Sequence, residues 1–217
     1  MKLGYSIPFL AVSLCVTTLV LSGTDFQQNP SQDSTRATSD APVYFPPDKT
    51  NSVGVFSLVL YSLDEPSLFQ MAKDVTGLSY RVSYMSFVPT RCVVARIVVS
   101  EDGTGQITTA SSACKDKGTP VERTKSNVSA GDVEKFLRLI DKNQFWAMPS
   151  TSNERKTDAS GHEVYVFDGA VWMIDGLRNG SFHFVYRSNP EASPFTEVGR
   201  FLARDLAKLP GFYEFKP

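Results

Sequence analysis

Histidine is scarce: two residues in 217. With no C-x-x-C or H-x-x-x-H spacing to support them, they leave too few soft ligands for a closed zinc site, so no metal is expected. A G-x-S-x-G elbow is missing as well. Gly103-x-Gly105 falls in a turn between two strand-like runs and not ahead of a helix, which argues against a phosphate cradle; no cofactor is expected. Charge of one sign is concentrated nowhere. The 22 Lys and Arg face 23 Asp and Glu, so no basic face meets a phosphate backbone, and a nucleic-acid partner is not expected. Internal repeats and heptads are also missing.

What is present begins with residues 1–24. Lys2 is the only charge before an apolar run at 5–21, the pattern of a signal peptide or an N-terminal membrane anchor. The run is long for a signal-peptide core, yet Pro8, Ser13, Thr17 and Thr18 make it polar for a span. Cleavage near Gly23 and retention therefore both stay open. Either outcome places the chain outside the cytoplasm, periplasmic or secreted, with the membrane reached only through 5–21. Cys15 follows Leu14, which departs from the lipoprotein pattern, and is read as inert. Residues 25–49 are rich in Ser, Thr, Gln, Asp and Pro, the composition of a disordered polar linker. Residues 50–217 are of a size that suits one globular domain.

Within that domain, the β-branched and aromatic runs 53–61 (VGVFSLVLY) and 78–88 (LSYRVSYMSFV) read as strands. Runs 92–100 and 105–113 flank Glu101-Asp102-Gly103-Thr104 and read as a hairpin. Val133, Phe136, Leu137 and Ile140 follow helical spacing behind Ser129, which has Asp132 three residues on as in a capping box. Three strands are expected at 163–167, 170–175 and 181–187, joined by Asp168-Gly169 and Asn179-Gly180. A last helix starts at Ser193-Pro194, with Phe195, Val198, Leu202 and Leu206 on one stripe. Segregated runs of this kind predict α+β: antiparallel sheet strands with two amphipathic helices packed on one face.

The run PTRCVVARIVVSEDGTG at 89–105, the helix ending in Gln144-Phe145-Trp146, Asp168-Gly169-Ala170-Val171-Trp172, and GLRNGSFHFVYR at 176–187 before Asn189-Pro190 together resemble a family of uncharacterised exported bacterial proteins. Its pattern is a DG-x-x-W strand, an E-G turn, a Y-H strand and an R-x-x-P close. Here Asp175 stands for the Glu and Phe182 for the Tyr. The resemblance covers roughly residues 78–208; it implies the architecture and carries no assigned activity.

Two-residue turns set the pairing of the last three strands. Tyr165 then faces Trp172, Trp172 faces Arg187, and His162 faces Asp175. Val171, Met173, Phe182, Phe184 and Tyr186 form the core side; Glu163, Tyr165, Trp172, His183 and Arg187 share the other. Glu163, His183 and Arg187 beside two aromatics suit a polar ligand, or a hydrolase or lyase in which His183 is the base, Glu163 orients it and Arg187 stabilises negative charge. An amphipathic sheet face with Arg-on-Trp and Glu-with-His pairs explains the same residues without function. The principal expectation is a non-catalytic binding or structural domain whose partner is an envelope protein or a small polar ligand. The alternatives are that hydrolase or lyase, and an inhibitor or adaptor that presents Tyr165 and Trp172 to a protein. Finally, a three-residue loop at 102–104 would make cross-strand pairs sum to 206, setting Cys92 opposite Cys114 and predicting a disulfide between them.

Overall fold

The computed structural model describes residues 42–87, 90–114, 119–151, 160 and 169–209. Its centre is a six-stranded antiparallel sheet in the order β4-β3-β2-β1-β5-β6, built from β1 (Leu78–Phe87), β2 (Thr90–Val99), β3 (Gly105–Ser112), β4 (Glu122–Val128), β5 (Ala170–Arg178) and β6 (Ser181–Ser188). Period-two alternation sends Tyr80, Val82, Tyr84, Val93, Ala95, Ile97, Ile107, Trp172, Ile174 and Val185 to one face, all buried. Met85, Cys92, Val94, Ala110, Val171, Met173 and Phe184 go to the other, also buried. Both faces are therefore covered, and the predicted α+β class with an antiparallel sheet holds.

Two helices pack on the first face, as their spacing predicted. In α3 (Ala130–Lys142) the Ser129 side chain accepts from Asp132 N, and Val133, Phe136 and Ile140 are buried. In α4 (Pro194–Arg200) Ser193 and Thr196 form a reciprocal capping box with Pro194 in the first turn, and a π-helical stretch, Phe201–Leu206, carries the stripe on to buried Leu202. Gly199 lies against the Trp172 ring, where a Cβ would meet Cζ3 at 3.1 Å. The missing side chain lets α4 settle onto the indole.

The run at 53–61 is not a strand. It forms α1 (Thr50–Ser62), which lies on the second face and is followed by the short α2 (Leu68–Met71). Val53, Phe56, Leu60 and Leu63 fall at i, i+3, i+7 and i+10 and are fully buried, each worth about 1.5–3 kcal/mol. Leu63 and a left-handed Asp64 (φ 50°) end the helix. The core also starts earlier than residue 50: Tyr44 and Phe45, assigned to the linker, are buried, and Phe45 packs edge-on against Phe184 at 5.3 Å.

The β5–β6 hairpin has the predicted register, Trp172 opposite Arg187, around Asn179 and Gly180, both at positive φ (50° and 80°) as a type I′ turn requires. On its other side β5 pairs with β1, so Trp172 faces Tyr84 and Asp175 faces Arg81, in place of Tyr165 and His162. The expected strand 163–167, with His162, Glu163 and Tyr165, lies outside the described residues, as do residues 1–24 and most of the linker. The β2–β3 register is also corrected. Val99 pairs with Gly105, so the connection is 100–104 and Cys92 stands opposite Ser112. Asp102 Oδ1 accepts from Thr104 N at 2.9 Å, and Gly103 is at φ 81°, which holds the longer turn.

Candidate functional site

His183 lies on the α3/α4 face of β6, in a row that runs His183, Gly176, Tyr80, Ile97 across the sheet. Gly176 matters because a Cβ there would stand 2.8 Å from the Tyr80 ring; bare backbone lets that ring lie across β5. A 3₁₀ turn, Phe145–Ala147, starts from left-handed Gln144 (φ 52°) and lowers two aromatics onto the row. Phe145 contacts His183 (5.2 Å between ring centroids), Trp146 (5.5 Å) and Tyr80 (6.1 Å). The Arg178 guanidinium covers the Trp146 ring at 4.7 Å and pairs with Asp141 at 3.2 Å.

Within this cluster Tyr80 Oη, Trp146 Nε1 and His183 Nε2 are buried without a hydrogen-bond partner among the described residues. Burial raises the Tyr80 pKa; the Trp146 N–H, near the phenol but short of hydrogen-bond geometry, and Arg178 offset part of that rise. Burial lowers the His183 pKa, with the backbone of Met148 and Phe145 opposing it, and no described carboxylate perturbs the ring. The fold thus favours neutral imidazole. Stability linked to His183 is fully present above the unfolded-state value of about 6.5 and is lost as pH falls below it towards the lowered folded pKa. Urea midpoints measured across this range should fall on the acid side, and His183→Gln should flatten that fall. An unchanged slope would show that the ring titrates as it does in water.

The described members of the predicted set, Arg187 and Trp172, do not gather around His183. Arg187 is four residues along the same strand face, about 13 Å away. Its Nη1 donates to Tyr186 O at 2.6 Å and its Nη2 to Pro149 O at 3.1 Å, and the guanidinium lies 5.7 Å from the Phe195 ring. Trp172 is only 3% exposed, edge-on to Tyr84 at 6.1 Å and packed against Phe195 and Gly199. The described half of the expected Tyr165 and Trp172 display is therefore core, not a surface for a partner. Glu163 and Tyr165 lie outside the described residues.

An ionic cluster that the sequence reading missed occupies the α1 side of the sheet. Arg81, fully buried, grips Asp175 in a fork: Nε donates to Oδ1 at 3.0 Å and Nη2 to Oδ2 at 2.6 Å, while Nη1 donates to Pro66 O at 2.7 Å. Glu65, from the turn after α1, enters beside it and accepts from Arg96 Nε at 2.9 Å and Arg123 Nη1 at 3.2 Å, with Arg81 Nη1 at 3.6 Å. Tyr44 donates to Glu65 O at 3.0 Å, and burial pushes its phenol up to about 12. Desolvation pulls the Arg81 pKa down, but the carboxylates of Asp175 and Glu65 outweigh it and keep the guanidinium charged. For Asp175 burial is the larger influence and raises the pKa against the pull of Arg81. The signal was an aspartate inside the apolar run AVWMID, since a charge is rarely fully buried unless it is paired.

An open groove of about 740 Å³ runs between α3 and α4, lined by Lys135, Leu139, Pro194, Arg200, Phe201 and Arg204 among others. Lys135 pairs with Asp132, Arg204 with Asp205, and Glu197 with Lys142. Arg200 has no acidic partner among the described residues. Compared with protein-family models and with curated proteins, the sequence matches no family and no relative.

Proposed function

We propose that the chain is an exported domain of the cell envelope that acts by binding and not by catalysis. The observation that supports export is the bridge between Cys92 and Cys114, whose Cα atoms lie 5.1 Å apart. Disulfides built into a core persist in oxidising compartments and are rare in reducing ones. The apolar segment 5–21 after Lys2 supports the same route. The hydrolase or lyase reading has a neutral imidazole in its favour, but Arg187 is engaged with backbone carbonyls well away along the strand.

The surface best suited to binding is the α3–α4 groove, where apolar Leu139 and Phe201 adjoin Arg200, which has no acidic partner among the described residues. It fits a partner segment that brings a carboxylate beside an apolar side chain, because a charge-assisted bond to a guanidinium is worth about 1.5–3 kcal/mol. The test is an NMR titration of the oxidised full chain with an acetylated, amidated peptide alternating Glu and Leu. Shifts should concentrate at residues 135–139 and 193–205, and Arg200→Glu should weaken binding by about tenfold or more. Equal binding of the matching Lys and Leu peptide, or shifts spread elsewhere, would remove the groove as the site.

A further inference from the structure

Helix α1, TNSVGVFSLVLYS, contains no Asp, Glu, Lys or Arg, although it lies at the surface. A surface helix in water normally turns a charged or polar face outward. The outer face of α1 instead shows Leu58 at 69% exposure and Val55 at 36%, and Val43, where the chain enters the fold, is 46% exposed. None of the exposed large apolar side chains among the described residues belongs to α3 or α4. The charges near α1 sit at its ends and not along it: Asp48 and Lys49 pair with each other ahead of it, and Asp64 follows it.

The chain also arrives on this side. Tyr44 and Phe45 belong to the same apolar cluster as α1, and Ser67 Oγ donates to Val43 O at 2.5 Å. Before residue 42 the sequence offers residues 22–41, which can reach at most about 70 Å, and before those the apolar run 5–21. We propose that the outer face of α1, together with Val43, rests on the lipid surface in which residues 5–21 hold the chain. This inference rests on the envelope reading above, in the form where the N-terminal segment is retained. Lipid suits the face better than a protein partner because the helix offers no charged side chain for a partner to pair with. Three side chains are also a contact too small to recruit the domain from solution. A tether changes that: a link of this length supplies an effective concentration near the millimolar range, and marginal contacts then fill.

The experiment uses full-length, oxidised chain reconstituted into vesicles of phosphatidylethanolamine and phosphatidylglycerol. A photo-crosslinking benzoylphenylalanine is placed at Leu58 or, as a control, at exposed Arg138 on α3. Flotation of the chain with the vesicles is read first, and failure to float overturns both the tether and this inference. If the chain floats, lipid adducts at position 58 should exceed those at position 138 by roughly tenfold. Equal lipid labelling, crosslinks from position 58 to a second copy of the chain, or no adducts there would overturn the lipid contact and leave the tether standing.

Discussion

Asp175→Ala should destabilise the domain by about 3–5 kcal/mol, because it strips the buried Arg81 guanidinium of its fork partner and leaves it only the Glu65 carboxylate, 3.6 Å from Nη1 and shared with Arg96 and Arg123. That is a large share of the 5–15 kcal/mol that holds a typical domain together. Exposed pairs set the contrast: Arg138 with Glu134 and Lys135 with Asp132 ride on α3 in open solvent, and removing either should leave the urea midpoint nearly unchanged. The double variant Arg81→Met with Asp175→Leu should recover much of the loss, since two apolar groups of similar volume avoid the desolvation penalty while Glu65 keeps Arg96 and Arg123. Urea unfolding of the oxidised protein measures all three. A loss below about 1 kcal/mol for Asp175→Ala would mean that water reaches the pair in the native state.

The same cluster shows where the sequence was legible and where it was not. Local signals worked when the cause was local: Ser193-Pro194 starts α4, Ser129 caps α3, and Asn179-Gly180 sets a register in which Trp172 meets Arg187. Predictions failed where a distant partner decided. Residues 53–61 read as a strand because the uncharged outer face of α1 removes the polar half of a helical pattern, and a short apolar run cannot be assigned from periodicity alone. Asp168-Gly169 suggested a hairpin partner for β5, but the pairing edge belongs to β1, some 90 residues earlier in the chain, with Arg81 and Asp175 94 residues apart. Turn chemistry carries no information about so remote a strand. The candidate site divides in the same way. His183 was found by residue type, whereas Phe145, Trp146 and Tyr80 reach it through a left-handed Gln144 and a bare Gly176, whose roles appear only once the strands are aligned.

Loss of the Cys92–Cys114 bridge should be the other large effect. The residues are 22 apart in sequence, and closing a loop of that size is worth roughly 3 kcal/mol in the chain-entropy model. The predicted register was wrong by two residues, yet the bridge forms, because a shift of two preserves the face: Cys92 and Cys114 stay on the α1 side, where an odd shift would have separated them. Cys114 lies beyond the end of β3 and reaches back from a left-handed backbone (φ 48°), a conformation that costs a non-glycine residue roughly 1–2 kcal/mol and that the bridge holds in place. Cys114→Ser should therefore lower stability by somewhat less than the loop term, because the left-handed backbone at residue 114 is then free to relax. Cys92 is fully buried with Val94, Ala110 and Met85. Attack at the Cys92 sulfur must wait for the sheet to open, which leaves the half-buried Cys114 sulfur, beyond the end of β3, as the route for reductant in native protein. Thiol titration of the denatured, unreduced full-length chain should find one reactive thiol, from Cys15, and none once residues 1–24 are removed. Two further thiols in either form would show the bridge absent, and with it the main support for an oxidising compartment.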